Sequence, residues 1–223
     1  MCSSDLHEHG IGAAACAGAD AVLVSDYGSG LVTPALVRRL RAALDGASPS
    51  IPILIDTRHR LLDYRGLTAC TPNESEVEQA LGIRINDNPK MLERAGRDLL
   101  ERTKMQAVLI TRGSRGMALF VKNAPTLHIP IYGSDEIADV TGAGDTVMAT
   151  MALALASGAT FESAASLANH AAGLVVMKRG TATVSARELR AAIEQASGLR
   201  PQASGLARAQ AVESRPGPFE PGR

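Results

Sequence analysis

Short runs of β-branched and aliphatic residues alternate with amphipathic segments along this chain, and the alternation restricts the folds open to it. Residues 21–26, 51–56 and 106–111 form apolar runs bounded by polar or glycine-rich turns. Such runs are typical of strands buried on both faces of a sheet. Segments of helical periodicity separate them, so each connection is long enough to cross over and keep the strands parallel. The sequence therefore predicts an α/β fold with a mainly parallel sheet.

The remaining elements follow from periodicity and from helix signals. Thr33 and Pro34 begin one helix as cap and first residue, and another begins after Asn73. Further helices are expected over residues 90–102, from the Gly144 region to Ser157, and over residues 162–178 and 186–196. In the helix over residues 90–102, the side chains predicted to face inward are Met91, Ala95, Leu99 and Leu100. Shorter strands are expected over residues 67–71, 117–121 and 126–131, the second antiparallel because its connection is too short for a crossover.

Composition divides the chain into three parts and excludes several functional classes. We expect an N-terminal segment of uncertain role over residues 1–20, one α/β unit over 21–197, and a disordered tail over 198–223, where Pro, Gly, Ser, Arg and Gln predominate. A net charge of zero gives no basis for binding nucleic acid or an anionic membrane. Three cysteines without a CxxC pair indicate reduced thiols in a cytoplasmic protein.

The segment Asp139-Val-Thr-Gly-Ala-Gly-Asp-Thr-Val147 concentrates the candidate chemistry. Its glycines precede a long apolar run, an order that predicts a tight turn into a buried helix. The amides of Gly142, Ala143 and Gly144 would then face an anion at the helix N-terminus. Asp145 would stand beside that anion as a base for a hydroxyl that attacks a phosphoryl group. An alternative is equally consistent with these nine residues: Thr141 is the N-cap, and Asp145 only interacts with the helix dipole.

Three common motifs are absent from the sequence. A dinucleotide fingerprint fails because its third glycine position is Val147. No GxxxxGK[ST] or GxSxG pattern occurs anywhere in the chain. Phosphate chemistry would therefore depend on the glycine-rich start of the helix that carries Asp145.

Several other polar residues are expected at the carboxyl edge of the sheet, where ligands bind in open α/β folds. Asp26 and Asp56 end two strands, and the segment 139–147 is expected at the same edge. Asn73 and Glu76 have the spacing to orient water bound to Mg²⁺, or to form a capping box. Thr111 and Gly113 could contact phosphates, or form an ordinary hairpin turn. Asn169 and Gly173 lie one helical turn apart and either accept a flat base or pack in the core.

The motifs together resemble those of the ribokinase-like (PfkB) carbohydrate kinases. Residues 139–146 are similar to the C-terminal signature of that family, residues 71–76 to its Asn-x-x-Glu segment, and residues 111–116 to its nucleotide-site turn. Further segments are most similar to the kinase module of the D-glycero-β-D-manno-heptose-7-phosphate kinases: residues 23–28, 169–173 and 178–184. The resemblance covers roughly residues 21–196.

This resemblance implies a three-layer α/β/α sandwich and a role for each residue that matches a motif. Asp145 would be the catalytic base, and Gly142, Ala143 and Gly144 the anion hole. ATP would be bound by Asn73, Glu74, Ser75, Glu76, Thr111, Gly113 and Asn169. Glu76 would act on Mg²⁺ indirectly, and Asp139 with Thr141 would hold a monovalent cation.

The resemblance also implies a reaction, the ATP-dependent phosphorylation of heptose 7-phosphate to the 1,7-bisphosphate. Alternatives are another sugar or nucleoside as acceptor, or nucleotide binding without catalysis. Family members carry further residues ahead of the strand at Ala21, so the first strands, the lid and most sugar contacts are expected to be missing. A homodimer is one assembly that the family suggests.

Overall fold

Six strands form one sheet in chain order in the computed structural model, which describes residues 18–44, 51–133 and 139–197. The first four pair in parallel, and the last two are antiparallel to their neighbours. The mainly parallel sheet and its antiparallel edge are therefore as predicted. The strands are β1 (Val22–Asp26), β2 (Ile53–Thr57), β3 (Ala69–Cys70), β4 (Ala107–Thr111), β5 (Met117–Val121) and β6 (Leu127–Ile129).

α-Helices lie between β1 and β2, between β3 and β4, and after the sheet, whereas β2 and β3 are joined through a short 3₁₀ turn, Leu61–Asp63. The α-helices are α1 (Pro34–Leu44), α2 (Glu74–Leu81), α3 (Pro89–Thr103), α4 (Ala143–Ala156), α5 (Phe161–Val176) and α6 (Ala186–Ala196). The first of them begins as predicted, because Thr33 Oγ1 accepts a hydrogen bond from the Leu36 N–H at 3.1 Å. The chain divides into two compact units, and α6 belongs to the second, which begins at Ala186.

Both faces of the sheet are covered, which gives the predicted three layers. On β4, Val108 and Ile110 pack on one face in a core shared with α1, α2 and α3. The alternate residues Ala107 and Leu109 pack on the other face against α4 and α5. All four side chains are fully buried. Burial of each large aliphatic side chain contributes at most about 1.5–3 kcal/mol, so these two cores supply much of the stability.

Two local predictions differ from the structure. The third strand pairs over only two residues, because Pro72 has no N–H to continue the ladder beyond Thr71. In α3 the side chain buried at the start of the helix is Leu92, whereas Met91, one residue earlier, was predicted to be buried. The predicted disordered tail, residues 198–223, and all but the end of the N-terminal segment 1–20 lie outside the described residues. Within the part of the chain that the structure covers, none of the helices combines the length and apolarity needed to cross a bilayer.

Candidate functional site

The turn into α4 leaves the helix N-terminus without a side-chain cap. Gly142 is the N-cap, with φ of 79° in the left-handed region that favours glycine, and no described side chain accepts a capping hydrogen bond from the amides of the first turn. The alternative in which Thr141 caps the helix is therefore wrong. The Ala143 N–H donates to Val140 O at 3.2 Å, and space around Gly144 is open. Unused amides and the helix dipole make this terminus suited to an anion.

Asp139 fixes the loop that leads into this turn. Its Oδ1 accepts a hydrogen bond from the Thr141 N–H at 2.9 Å, and its Oδ2 accepts one from the Gly180 N–H at 3.2 Å. Hydrogen bonds from Thr141 make the largest contribution to lowering the pKa of the Asp139 carboxyl, and the bond from Gly180 makes a smaller one. The loop ahead of α4 is thereby joined to the segment that follows α5. The monovalent cation expected at Asp139 and Thr141 stays a prediction.

Asp145 lies in the first turn of α4, exposed to solvent. The Tyr27 hydroxyl lies 3.5 Å from its Oδ1. The guanidinium carbon of Arg58 is 5.1 Å from the centre of the Tyr27 ring, a cation–π distance. Sequence reasoning assigned no role to Tyr27. Its position directly after a strand ending at the carboxyl edge was the available signal.

Asp56 joins Asp145 and Glu76 in a group of carboxylates at this edge. Burial raises the pKa of Asp56 to about 6, and the negative charges of Glu76 and Asp145 add to the effect. No set of three acidic, histidine or cysteine side chains among the described residues has the geometry of a metal site. Mg²⁺ nevertheless needs few protein ligands because it keeps several waters. The carboxylates present fit an ion held mainly through water.

The position of Asp26 at the end of a strand predicted that it would face the site, but it does not. Its carboxylate is buried and accepts hydrogen bonds from the Tyr64 hydroxyl at 2.6 Å, the Gly28 N–H at 2.9 Å and the Thr57 hydroxyl at 3.2 Å. Burial tends to raise the pKa of Asp26, but these bonds outweigh it, and the pKa falls below its usual value. Asp26 therefore anchors the turn that carries Tyr27.

The Asn-x-x-Glu segment forms the capping box that was the alternative to a nucleotide role. Asn73 Oδ1 accepts from the Glu76 N–H at 2.9 Å, and the Asn73 N–H donates to Glu76 Oε2 at 2.8 Å. Glu74 accepts a hydrogen bond from Arg115 at 2.5 Å, and Ser75 is exposed in the first turn. The box uses the single side-chain oxygen of Asn73 and one of the two carboxylate oxygens of Glu76. A capping role and a ligand-binding role of Glu76 are therefore compatible.

A cavity of about 350 Å³ adjoins the carboxyl edge of the sheet and the N-terminus of α4. Of the predicted nucleotide residues it brings together Asn73, Thr111, Gly113 and Asn169, whereas Glu74, Ser75 and Glu76 do not line it. Gly142 and Asp145 do not line it either. Asn169 reaches it but uses its amide to donate to Pro130 O at 2.8 Å, so part of its role is structural. The cavity is lined by Asn73, Thr111, Gly113, Gly116, Met117, Ile131, Val140, Ala143, Gly144, Val147, Asn169, Ala172, Gly173 and Val176.

Comparison with known proteins gives relatives at the level of sequence. The bifunctional protein HldE of Caulobacter vibrioides is 45% identical over 185 residues, which make up 82% of this chain and 37% of that protein. HldE of Geobacter sulfurreducens is 45% identical over 169 residues, which make up 75% of this chain and 34% of that protein. The chain thus spans little more than a third of the length of these relatives.

Solved structures share the fold at low sequence identity. Arabidopsis thaliana ribokinase complexed with ribose and ATP superimposes with a TM-score of 0.69 at 21% identity, over 87% of this chain and 60% of that one. Escherichia coli phosphofructokinase-2 in complex with potassium gives a TM-score of 0.67 at 17% identity, over 79% of this chain and 57% of that one. The ribokinase-like fold is therefore confirmed. Because residues 5–188 also match the family described as pfkB family carbohydrate kinase, the chain belongs to that family.

Proposed function

We propose that this chain carries the phosphoryl-transfer part of an ATP-dependent sugar kinase, with D-glycero-β-D-manno-heptose 7-phosphate as acceptor and the 1,7-bisphosphate as product. The observation that carries the proposal is the uncapped N-terminus of α4, with Asp145 in its first turn and a cavity beside it. The segments similar to heptose-7-phosphate kinases, together with the HldE relatives, support this acceptor.

The phosphoryl donor in this proposal is ATP. Thr111 ends β4 and Gly113 follows it, and they present a hydroxyl and a glycine with open space around it, which permits close approach of phosphates. Asn169 lies at the same cavity between α4 and α5 and is the candidate contact for the base. The ribokinase with the same fold was solved with ATP, which supports this donor.

The chemistry follows from the charges that develop during transfer. The acceptor hydroxyl oxygen bonds to the γ-phosphorus of ATP while the bond to the β–γ bridging oxygen breaks and ADP leaves. Asp145 accepts the hydroxyl proton. The amides of Gly142 and Gly144 stabilise negative charge on the transferring group, whereas the Ala143 N–H already donates within the turn. Mg²⁺, when bound, would neutralise phosphate charge, with Glu76 orienting its waters.

The decisive variant is Asp145→Asn, which keeps the size of the side chain and removes the base. We expect sugar-dependent ADP release, followed in a coupled assay with heptose 7-phosphate, to fall about 10²- to 10⁴-fold. The ATP affinity, followed by thermal shift, should stay near its original value. Asp98→Asn is the matched control, because Asp98 is paired with Arg102 on α3 and does not line the cavity. This variant should keep full turnover.

Each other outcome rejects a defined part of the proposal. Undiminished turnover in Asp145→Asn would reject the base assignment. ATP binding without sugar-dependent ADP release in the unmodified chain would reject catalysis and support a nucleotide-binding module instead. ADP release with fructose or a nucleoside, but not with heptose 7-phosphate, would keep the kinase and change its acceptor.

A further inference from the structure

A second cavity, of about 550 Å³, lies beside α1 and shares no residue with the candidate site. One wall is α1, and the other is the loop that leads into β3 together with Lys104 at the end of α3. Its lining residues are Pro34, Val37, Arg38, Arg41, Ala42, Asp63, Tyr64, Arg65, Gly66, Leu67 and Lys104.

The lining is strongly cationic although the whole chain has no net charge. Three arginines and a lysine converge on the cavity against a single carboxylate, Asp63. That carboxylate is already paired with Arg60 Nε at 3.1 Å. Among residues 18–44, 51–133 and 139–197, no carboxylate lies within ion-pair distance of the four cations, which are Arg38, Arg41, Arg65 and Lys104. A concave surface with such unbalanced charge attracts anions.

The shape of the loop places one of these cations against the wall. Gly66 has φ of 68°, and a Cβ on it would overlap the Nη1 of Arg41. The guanidinium of Arg41 therefore rests directly on the glycine backbone. The loop itself is fixed, because the Gly66 N–H donates to Thr103 O at 2.7 Å. Any side chain at position 66 would displace the arginine from this position.

Apolar groups complete the cavity next to the cations. Val37, Tyr64 and Leu67 are buried side chains that contribute to the lining, and Pro34 and Ala42 extend it along α1. A ligand with an anionic group and a compact apolar or ring portion could contact both kinds of surface. Guanidinium groups bind phosphate oxygens in a bidentate fashion, and lysine adds a point charge.

We propose that this cavity is a second binding site, specific for a small phosphorylated molecule and separate from the nucleotide cavity. The phosphate or pyrophosphate group would be held by Arg38, Arg41, Arg65 and Lys104, and the rest of the ligand would lie against the apolar wall. The proposal does not depend on the kinase activity, because none of these residues belongs to the site that contains Asp145.

Titration with pyrophosphate, followed by the backbone amide signals in ¹⁵N NMR spectra, tests the site directly. We expect saturable shifts at Gly66, Leu67 and Lys104, which are distinguishable from shifts at the start of α4. Arg41→Gln should weaken this binding about tenfold or more, as expected for the loss of a charge-assisted bond. Arg38→Gln and Arg65→Gln, on opposite walls, should weaken it as well and provide the test if Arg41→Gln does not fold.

Arg94→Gln is the matched control, since it removes an exposed arginine of α3 that does not line the cavity. It should bind pyrophosphate at Gly66 as the unmodified chain does. Shifts confined to Gly142, Ala143 and Gly144 would overturn the proposal, as would shifts at Gly66 that never saturate. Equal weakening in Arg94→Gln and in the cavity variants would show non-specific attraction and would overturn it too.

Discussion

Two aspartates at the ends of neighbouring strands show how far the surroundings decide the role of a residue. Asp26 and Asp56 both end buried runs and are indistinguishable by position in the sequence. Tyr64 and Thr57 supply hydroxyls to Asp26, and its pKa is lowered despite burial. Asp56 is partly buried and faces the carboxylates of Glu76 and Asp145, and its pKa is raised to about 6. These partners lie far along the chain, so only the folded structure separates the two residues.

The raised pKa of Asp56 predicts a pH dependence of stability. Between about pH 4 and pH 6 the folded chain holds a proton on Asp56 that the unfolded chain has released, so this carboxyl lowers the free energy of unfolding as the pH rises. Asp56→Asn removes the titration and the repulsion. In urea unfolding with EDTA present, the variant should gain stability relative to the unmodified chain between pH 4 and pH 7, with no further gain above pH 7.

A second variant checks the cause of that shift. Asp145→Asn removes one of the two neighbouring negative charges, so the gain from Asp56→Asn should be smaller in that background. A gain of the same size in both backgrounds would mean that the charge of Asp145 does not contribute to the raised pKa of Asp56. If Asp56→Asn instead loses stability relative to the unmodified chain as the pH rises from 4 to 7, the pKa of Asp56 is not raised in the folded chain.

At the scale of elements, the first turns of α2 and α4 are built in opposite ways. In α2 the side chains of Asn73 and Glu76 bond to the backbone and form a complete box. In α4 a glycine holds the N-cap position, and no described side chain caps the amides of the turn. Both helix starts were expected from sequence, which left open whether their polar residues cap the helix or face a ligand. The capping box expected as one alternative at Asn73 is confirmed, whereas the cap expected at Thr141 is wrong. The open terminus is the one suited to bind an anion.

Glu76→Gln separates the two roles of the Asn-x-x-Glu segment. Glutamine can still accept the hydrogen bond from the Asn73 N–H, so the capping box and the unfolding free energy should be retained. The charge is lost, however. If Glu76 orients water bound to Mg²⁺, the gain in nucleotide affinity that Mg²⁺ produces in calorimetry should be about 10- to 100-fold smaller.

Glu76→Ala is the companion variant because it removes both the charge and the acceptor. It should show the same weakened Mg²⁺ dependence and lose about 1 kcal/mol of stability in addition. If Glu76→Gln binds Mg²⁺ and nucleotide as the unmodified chain does, Glu76 is a capping residue only.

The architecture of the sheet was predictable because it depends on local pattern. Residues 107–110 are apolar at every position, which is what burial on both faces requires, and the helical connections between such runs favour parallel pairing. The details that failed depend on single contacts. β3 stops ahead of Pro72, which has no N–H to continue the ladder, and Leu92 of α3 packs in the core where Met91 was expected. Tyr27 reaches Asp145 from 118 positions away, a distance in sequence that no local pattern spans.

At the scale of the molecule, β1 is an edge strand of the sheet within the part of the chain that the structure describes, and large apolar side chains are exposed around it. Leu23 on this strand is 44% exposed and Leu31 in the following turn is 78% exposed. Leu153 of α4, a helix that packs against β1 and β2, is 69% exposed. An open strand edge with apolar neighbours favours association with another chain. We therefore expect this chain to associate with itself at this side of the sheet.

Leu153→Lys tests that expectation. Lysine keeps a helix propensity close to that of leucine, so the exposed substitution should leave the unfolding free energy nearly unchanged. In sedimentation velocity over a range of protein concentrations, the variant should stay monomeric at concentrations where the unmodified chain associates. Gln79→Lys adds the same charge at an exposed position of α2 and should associate like the unmodified chain. If Leu153→Lys associates as strongly as Gln79→Lys, the contact lies elsewhere on the surface. If the unmodified chain is monomeric at every concentration, self-association is refuted, because the exposed apolar side chains around β1 then do not bind a second copy.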